Sequence, residues 1–453
     1  MRTSPRAHPS LVWPGKREAQ PEATSARPTA GRLEVLEVLG EAAAGSSAWH
    51  NKLVLGDNRR TVPALLGELA GKVDLVYIDP PFGTGADFTV HGRAPEDAAL
   101  VAYTDRWAEG LGAYLSTMLE QLELIRALLS ERGTVFVHCD WRVSHYLRCL
   151  LDEVFGPDAF KNEIVWRYRR WPARTRVFQK MHDVLLWYGK TRGDGHAWTQ
   201  LYEPLAPSTL ETWGTKRQVA DFSTGRRRPS QTDEETRGAP MADVWDIGII
   251  APIARERVGY PTQKPEALLR RVIEAASRPG DLVADLFAGS GTTLAVAEKL
   301  GRRWVGCDVG PIAIHTARKR LLGLRAEAAP GKGPVFEILG EETREPSHPG
   351  RPGASAAVEL EGGASASDLG REARVRLAPS GDTREAVDFW AVDWDYQGGP
   401  LRSRFQAWRG RRGGVLPLEA THTYAAAGTY QIAVQVIDAA GAETRQVLKA
   451  RVG

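Results

Sequence analysis

The stretch Val73-Asp74-Leu75-Val76-Tyr77-Ile78 runs directly into Asp79-Pro80-Pro81-Phe82. The first six residues are nearly all apolar, which predicts a strand buried on both faces of a sheet. Two consecutive prolines cannot continue that strand, so Asp79 is expected at its end, with a rigid loop behind it. A second loop, Asp285-Leu286-Phe287-Ala288-Gly289-Ser290-Gly291-Thr292-Thr293, follows roughly two hundred residues later. Its glycines allow the backbone to approach a ligand closely, so the two loops predict a binding site at strand ends.

The composition excludes several classes of protein. The chain has 453 residues, of which 42% are hydrophobic and 25% charged, as in ordinary globular proteins of one to three domains. Three scattered cysteines do not make a disulfide framework, which favours a reducing compartment. No run approaches the roughly 18 apolar residues of a membrane span, and the basic N-terminus lacks the apolar stretch of a secretory signal. These features predict a cytoplasmic enzyme that is not bound to a membrane.

From Leu53 onward, alternating patterns predict a largely parallel sheet covered by helices. The predicted strands are 73–79, 134–138, 183–188, 282–286 and 303–308. The predicted helices, in which apolar residues recur at spacings of three and four, are 111–130, 144–154, 265–277, 291–300 and 311–322. The fold class is therefore α/β, with the catalytic domain predicted at 46–330.

The chain outside this domain differs in composition. Residues 1–45, rich in Pro, Ala, Arg and Ser, predict a disordered arm, and residues 331–370 predict a linker. Residues 371–453 alternate with period two, which predicts a small module of the β-sandwich type. The stretch 423–441 resembles the end of an immunoglobulin-like repeat. Inside the catalytic domain, the pattern breaks between about 190 and 243, which predicts an insertion.

A strand-end acid followed by two prolines and an aromatic ring suits chemistry on an exocyclic amino group. The lone pair of such an amine is delocalised into the base, so methylating it requires acceptors that hold its N–H bonds. Asp79 and the Pro80 carbonyl are candidate acceptors, Pro81 helps to fix the carbonyl direction, and Phe82 can stack on the base. The alternative is a plain turn, because Asp-Pro-Pro often simply ends a strand.

The second loop is a candidate cofactor site. It lacks the full G-x-G-x-x-G fingerprint, and no Gly-Lys-Ser/Thr follows to make a phosphate loop. Seventeen residues after Gly291, the next predicted strand ends at Asp308, where a carboxylate can bind ribose hydroxyls. The alternative role for Asp308 is an N-cap of the helix that begins near Pro311.

These motifs, between about Leu53 and Leu322, resemble the β-class amino-methyltransferases of DNA and are similar to the Mod-type subunits of type III restriction systems. Leu55-Gly56-Asp57-Asn58 is similar to the family's Gly-Asp-Asn motif, and Phe82 stands where Tyr is commoner. Tyr260-Pro261-Thr262-Gln263-Lys264-Pro265 is similar to the motif before the cofactor loop, although a helix start with Pro265 in its first turn is the alternative.

The resemblance implies a Rossmann-like sheet, S-adenosylmethionine as cofactor and a set of site residues. The implied catalytic residues are Asp79, Pro80, Pro81 and Phe82. The implied cofactor-binding residues are Asp57, Lys264, Asp285, Phe287, Gly289, Ser290, Gly291, Thr292 and Asp308. No metal site is expected, because His91, His138, His145 and His182 have no metal-ligand spacing.

A basic stretch with interleaved aromatics, Trp166, Tyr168, Trp171 and Phe178, predicts contact with the DNA backbone and support for a displaced base. The range 165–250 is the candidate target-recognition insertion. The candidate DNA-binding residues are Arg167, Arg169, Arg170, Arg174, Arg176, Arg226, Arg227 and Arg228. The alternative for such a charge run is a solvated surface.

The resemblance favours N6 of adenine in double-stranded DNA as the target, because Ser at position 79 usually accompanies cytosine N4 in that family. An N4-cytosine enzyme, a catalytically silent DNA-binding subunit, and methylation of RNA or protein are the alternatives. A homodimer and a restriction subunit are the further partners that the resemblance implies.

Overall fold

The computed structural model describes residues 10–17, 31–40, 49–90, 100–106, 110–223, 225–328, 333–342, 356–361, 372–379, 387–410 and 415–453. The strands and helices of the first half are β1 (Leu33–Leu39), β2 (Asn51–Leu55), α1 (Asn58–Leu69), β3 (Val73–Ile78), β4 (Asp87–Val90), β5 (Leu100–Thr104), α2 (Gly110–Leu128), β6 (Leu129–Cys139), α3 (Ser144–Phe155), β7 (Phe160–Arg167) and β8 (His182–Gly189).

The elements that follow, up to residue 341, are β9 (Tyr202–Glu203), α4 (Pro207–Trp213), β10 (Lys216–Asp221), β11 (Arg228–Glu235), β12 (Ala239–Pro240), β13 (Val244–Asp246), α5 (Glu266–Ala276), β14 (Leu282–Asp285), α6 (Thr292–Lys299), β15 (Arg303–Asp308), α7 (Pro311–Glu327) and β16 (Phe336–Glu341). The C-terminal strands are β17 (Ala356–Glu361), β18 (Glu372–Pro379), β19 (Val387–Asp393), β20 (Leu401–Ser403), β21 (Phe405–Trp408), β22 (Glu419–Thr423), β23 (Gly428–Asp438) and β24 (Glu443–Val452).

One sheet of eleven strands organises the larger domain, in the order β13-β7-β8-β6-β3-β14-β15-β2-β16-β1-β20. Its centre, from β6 to β16, is parallel throughout. Parallel strands present their carboxyl ends at one edge, so Asp79, Asp285 and Asp308 are brought to the same edge.

The strand sequences explain why helices cover both faces of this sheet. Along β3, Val76 and Ile78 face one core, with α1, α2 and α3, whereas Leu75 and Tyr77 face the other, with α5, α6 and α7. Successive side chains of a strand point to opposite faces, so a near-continuous apolar run requires a cover on each side. The predicted α/β, Rossmann-like fold is confirmed.

The prediction that residues 1–45 form a disordered arm is wrong for those residues of the range that the structure describes. Leu33–Leu39 forms β1, which pairs antiparallel with β16, and Trp13 donates a hydrogen bond from Nε1 to Ser116 Oγ at 2.9 Å. The linker predicted at 331–370 is also wrong in part, because it contains β16 and β17. The remaining residues of both ranges lie outside the described parts of the chain.

The predicted insertion at 165–250 is too wide. Strands β7, β8 and β13 belong to the central sheet, so only the loop between β7 and β8 and the segment between β8 and β13 stand outside it. That segment contains α4, the β9–β12 pair and the hairpin formed by β10 and β11. Trp166 and Tyr168 are buried in the core of the sheet, so neither supports a displaced base.

The C-terminal module is confirmed as a small β domain. Its sheets, β17-β18-β22 and β21-β19-β23-β24, enclose a core that includes Val375, Trp390 and Val434. The opposite face of β19 packs on the larger domain through Phe389 and Ala391.

The module also completes the central sheet, because β20 pairs in parallel with β1. Arg318 on α7 forms a buried ion pair with Glu37 on β1 at 2.9 Å, and Ser403 of β20 donates a hydrogen bond to the same carboxylate at 2.8 Å. Burial raises the pKa of Glu37 despite the attraction of Arg318. The module is therefore joined to the larger domain by backbone pairing and by a buried charge pair.

Candidate active site

The carboxyl ends of the parallel strands surround a cavity of about 430 Å³, within the range of small-molecule sites. All four residues of the catalytic motif line it: Asp79, Pro80, Pro81 and Phe82. Eight of the predicted cofactor-binding residues also line it: Asp57, Lys264, Asp285, Phe287, Gly289, Ser290, Thr292 and Asp308. The structure thus brings the two loops into one cavity.

Asp79 offers a free acceptor to this cavity. Its Oδ2 contacts the Lys264 ammonium, whereas Oδ1 is buried and accepts no hydrogen bond within the described structure. A buried acceptor without a donor costs free energy that a ligand N–H can recover. Phe82 stands beside it, with the Lys264 ammonium 5.7 Å from the centre of its ring. The arrangement suits a flat ligand that carries an N–H donor.

A buried histidine lies behind Asp79. His138 Nδ1 is 2.8 Å from the Tyr77 hydroxyl and 3.6 Å from Asp79 Oδ1, and Nε2 is 3.4 Å from Asp183 Oδ2. Burial works to raise the pKa of Asp183, but the hydrogen bonds from His138 and Tyr168 and the nearby charges of His138 and Lys264 together outweigh burial and lower that pKa. His138 itself is buried, and the centre of its ring lies 5.8 Å from the centre of the Phe82 ring.

Asp105 fixes the loop that follows the catalytic motif. Its carboxylate accepts hydrogen bonds from the Gly83 and Thr84 backbone at 2.7 and 2.9 Å, and from the Thr84 hydroxyl at 2.6 Å. These bonds hold a glycine-containing segment in one conformation next to Phe82. The buried carboxylate therefore preorganises the wall of the cavity.

Asp308 organises the opposite half of the cavity. Oδ2 accepts the Gly289 N–H and Oδ1 accepts the Gly310 N–H, each at 2.8 Å. Burial raises the pKa of Asp308, and the backbone donors oppose that effect. The alternative role as a helix N-cap receives no support, because Gly310 occupies the N-cap position of α7.

Asp285, at the end of β14, holds the glycine loop through two hydrogen bonds. It accepts hydrogen bonds from the Thr293 hydroxyl at 2.5 Å and from the Phe287 N–H at 3.0 Å. Burial raises its pKa to about 7, although both hydrogen bonds act in the opposite direction. Its role in the structure is to shape the loop.

The two glycines of this loop have different reasons to be glycine. Gly289 lines the cavity, and a Cβ at this position would lie 3.4 Å from the Tyr260 ring. Gly291 has φ +70°, and a Cβ there would lie 2.8 Å from the Ala317 Cβ. Gly291 is therefore required for helix packing and backbone conformation, and the structure does not place it among the cavity-lining residues.

Asp57 and Asn58 join the cavity from the end of β2. Asp57 caps α1 by accepting the Arg59 N–H at 2.9 Å, and Asn58 donates to the Leu286 carbonyl of the second loop. Burial works to raise the pKa of Asp57, but the hydrogen bonds from Arg59 outweigh it and lower that pKa. The Gly-Asp-Asn segment therefore connects α1 to the cofactor loop.

The segment before α5 carries backbone strain. Thr262 has φ +57°, the one such non-glycine residue in the described parts of the chain, and its hydroxyl lies 3.0 Å from the Tyr103 hydroxyl. Strained residues of this kind cluster at functional sites. Lys264, one of the residues expected to bind the cofactor, contacts the Asp79 carboxylate through its ammonium group.

The predicted DNA-binding arginines fall into two groups. Arg169, Arg170, Arg174 and Arg176 are exposed in the loop between β7 and β8, and Arg226, Arg227 and Arg228 are exposed at the tip of the β10–β11 hairpin. Arg167 ends β7 and forms an ion pair with Asp246, with Nε 2.5 Å from Oδ1. Its guanidinium is therefore already partnered.

Several cavity residues were not singled out from the sequence. Tyr103 and Asp105 come from the β5 end, and Tyr260 and Thr262 precede α5. The resemblance of residues 260–265 to a family motif was the available signal for Tyr260 and Thr262, but a resemblance does not tell which side chains face a cavity.

Comparison of the sequence with known proteins identifies the family of this chain. The family model described as DNA methylase (N6_N4_Mtase) matches residues 73–319, more than half of the chain. The chain belongs to this family of DNA methylases. The chain is 30% identical over 322 residues to type II methyltransferase M.EcaI of Enterobacter cloacae, covering 60% of this chain and 69% of that protein. It is 29% identical to DNA adenine methyltransferase YhdJ of Escherichia coli K12, covering 56% of this chain and 77% of that protein.

Among solved structures, the complex of M1.HpyAVI with S-adenosylmethionine matches at 19% identity and a TM-score of 0.38, covering 60% of this chain and 98% of that one. A second family model, the PKD domain, matches residues 375–448 of the C-terminal module. None of the helices that the structure describes is long and apolar enough to span a membrane.

This DNA methylase uses S-adenosylmethionine as its cofactor, and the cavity fits that molecule. The side-chain-free position at Gly289 leaves room against the Tyr260 ring, and carboxylates at Asp57 and Asp308 suit hydroxyl donors. The glycine loop leads directly into α6, whose N-cap residue is Gly291.

Proposed function

We propose that this DNA methylase transfers a methyl group from S-adenosylmethionine to N6 of adenine in double-stranded DNA, acting on a base flipped out of the helix. The observation that carries the proposal is the buried Oδ1 of Asp79, which accepts no hydrogen bond from any described residue and lies beside the Phe82 ring in the same cavity as the glycine loop. A duplex hides the amino group, so the base must leave the stack to reach this acceptor, at a cost of a few kcal/mol.

Each catalytic residue has a distinct task in this proposal. Asp79 Oδ1 and the Pro80 carbonyl accept the two N–H bonds of the target amine, which favours a more tetrahedral nitrogen with an available lone pair. Pro81 fixes the direction of that carbonyl, and Phe82 stacks on the base. Bound S-adenosylmethionine supplies an activated methyl group. Holding nucleophile and methyl donor in line can contribute about 7–11 kcal/mol to lowering the barrier.

We assign Asp57, Asp285, Phe287, Gly289, Ser290, Thr292 and Asp308 to the cofactor half. Lys264 belongs instead beside Asp79, and Gly291 acts through packing. The Lys264 ammonium contacts Asp79 Oδ2 and lies 5.7 Å from the centre of the Phe82 ring, so it helps to position the catalytic carboxylate.

Replacing Asp308 with alanine is expected to weaken S-adenosylmethionine binding by about 10- to 100-fold, since two backbone N–H groups of the cofactor cradle lose their acceptor. Calorimetric titration with S-adenosylmethionine measures the effect. The reaction rate at saturating cofactor is expected to fall much less. Unchanged affinity would remove Asp308 from the cofactor site.

The choice of adenine rests on Asp at position 79 and on the family resemblance, since the matching family model comprises both N6 and N4 enzymes. Its test is methylation of unmethylated genomic DNA with labelled S-adenosylmethionine, followed by mass spectrometry of the nucleosides. Labelled N6-methyladenine supports the proposal. Labelled N4-methylcytosine would agree with the proposed mechanism but would show that the target is N4 of cytosine and not N6 of adenine.

The recognition surface is assigned to the segment between β8 and β13 together with the loop between β7 and β8. A similarity to Mod subunits, a restriction partner, a homodimer and a cytoplasmic location stay predictions. A silent DNA-binding subunit would bind cofactor without turnover, and an RNA or protein substrate would leave DNA unlabelled.

Replacing Arg226, Arg227 and Arg228 together with alanine is expected to weaken DNA binding and flatten its salt dependence. Each lost phosphate contact reduces the slope of log K against log salt by about 0.9. Fluorescence anisotropy at several salt concentrations measures the slope. Arg374→Ala with Arg404→Ala and Arg451→Ala, three exposed arginines of the C-terminal module, is the matched control. An unchanged slope in the triple variant would contradict the assignment.

A further inference from the structure

The loop of residues 169–181 lies at the catalytic edge of the sheet. It leaves the end of β7 and returns at the start of β8, where Val184 is paired with Cys139 at the carboxyl end of β6. The neighbouring strand along this edge is β3, in which Ile78 pairs with Val137. The loop therefore projects from the edge at which Asp79 stands.

This loop is anchored at its base. The Tyr168 N–H donates to the Met181 carbonyl at 2.9 Å, which closes the ribbon where it leaves the sheet. Gln179 donates to the Ala173 carbonyl at 3.0 Å, and the Lys180 ammonium lies 4.4 Å from the centre of the Trp141 ring. These contacts fix the part of the loop next to the sheet, and the outer residues of the loop extend from it.

The aromatic residues of this region divide into buried and exposed pairs. Trp166 and Tyr168 pack in the core, whereas Trp171 is 93% exposed and Phe178 is 98% exposed. Two large apolar rings held in water are unfavourable unless a partner covers them. The exposed pair therefore points to an interaction surface.

The charges around these rings indicate the partner. Residues 169–180 contain five cations and no acid: Arg169, Arg170, Arg174, Arg176 and Lys180. This combination of positive charge and unstacked rings complements a polyanion that offers flat apolar surfaces between its charges, which is the chemistry of a nucleic-acid duplex.

We propose that Trp171 and Phe178 insert into the duplex and occupy the gap that the flipped base leaves. The inference rests on the proposed function, because only an enzyme that extrudes a base creates such a gap. Flipping removes the stacking of the target base on its neighbours, and an inserted ring restores part of it. The loop cations hold the adjacent phosphates while Phe82 receives the base in the cavity.

The test compares two duplex substrates after the methylated sequence has been mapped by sequencing. In one the target base is paired, and in the other it faces an abasic site, where flipping is cheap. Trp171→Ala and Phe178→Ala, singly and together, are expected to lower single-turnover methylation of the paired substrate by about 10- to 100-fold. On the abasic substrate the loss is expected to be less than about threefold.

Trp49→Ala is the matched control. Trp49 is another partly exposed tryptophan, but it precedes β2 at the amino ends of the parallel strands, the edge of the sheet opposite Asp79, and its Nε1 donates a hydrogen bond to Asn51 Oδ1 at 3.1 Å. It is expected to leave both rates unchanged. As a readout independent of methyl transfer, the fluorescence of 2-aminopurine at the target position is expected to rise with wild type and not with the double variant.

Equal losses on both substrates would show a general role in DNA binding and overturn the insertion, as would no loss on either. A wild-type protein inactive on both substrates would overturn the proposed function and this inference with it. The two failures are therefore distinguishable.

Discussion

Asp79→Asn is expected to lower the single-turnover rate of methyl transfer by about 10²- to 10³-fold, the usual loss when a preorganised group at the reacting atom is removed. The variant exchanges a carboxylate for a neutral amide whose oxygen is a weaker acceptor, and it leaves the Lys264 ammonium without its partner. Rapid-quench transfer from labelled S-adenosylmethionine to DNA measures the rate.

Cofactor affinity is expected to stay within about threefold of wild type in this variant, because the cofactor half is built from the other loop. Asp158→Asn, a surface carboxylate that follows α3, is the matched control for the loss of one charge. A transfer rate within threefold of wild type in Asp79→Asn would remove Asp79 from the chemistry.

Glu37→Ala is expected to destabilise the protein by about 3–5 kcal/mol, because it leaves Arg318 buried without its counter-charge. The loss includes the acceptor of the Ser403 hydroxyl, so the contact between β1 and β20 weakens as well. Urea unfolding followed by circular dichroism measures the change, and limited proteolysis reports whether the C-terminal module is released.

An exposed ion pair supplies the comparison for Glu37. Glu419→Ala breaks the pair with Arg376 on the outside of the module, at 3.5 Å, and is expected to cost less than about 1 kcal/mol. The double replacement Glu37→Leu with Arg318→Met is expected to recover most of the lost stability, since no charge then remains buried. A Glu37→Ala loss no larger than that of Glu419→Ala would contradict the buried-pair account.

The joined module changes how truncations should be designed. A chain cut after residue 330 loses β16, an inner strand of the central sheet, together with the β20 strand that borders β1. Loss of activity in such a chain would report a damaged sheet. Point variants on the outer face of the module are the appropriate means of examining its own role.

The parts of the fold that could be predicted are those with a strong local pattern. The strands 73–78, 282–285 and 303–308 were found because apolar residues fill both faces, and α5 because its apolar residues keep helical spacing. The helix α1 was missed because Pro63 interrupts the helical pattern. Local sequence determines these elements, so they can be predicted wherever the pattern of apolar residues is unbroken.

The border strands could not be predicted, because their partners are distant in the chain. Leu33 in β1 pairs with Glu341 in β16, and Leu39 pairs with Ser403 in β20. Each of these strands is short, and its polar residues predict a loop when the partner strand is unknown. Glu37 is an example: an acid in a strand appears solvent-facing until Arg318 and Ser403 are placed against it.

The candidate site was predictable residue by residue but not in its arrangement. Asp79 and Asp308 follow from strand-end position, and the structure places both in one cavity. The environment of His138 was not predictable, because Tyr77 and Asp183 reach it from two other strands. The contact of Lys264 with Asp79, across 185 positions, is likewise a product of the fold.

The most direct test of the central claim is an isotope chase in a single turnover. The protein is loaded with methyl-labelled S-adenosylmethionine, freed of unbound cofactor and mixed with unmethylated DNA and excess unlabelled cofactor. A cavity that holds cofactor and target amine side by side predicts that label passes directly from the bound cofactor to an exocyclic amino group of a DNA base. No label is expected in covalent linkage to the protein at any time. Label in 5-methylcytosine, label retained on the protein, or DNA that stays unlabelled would contradict it.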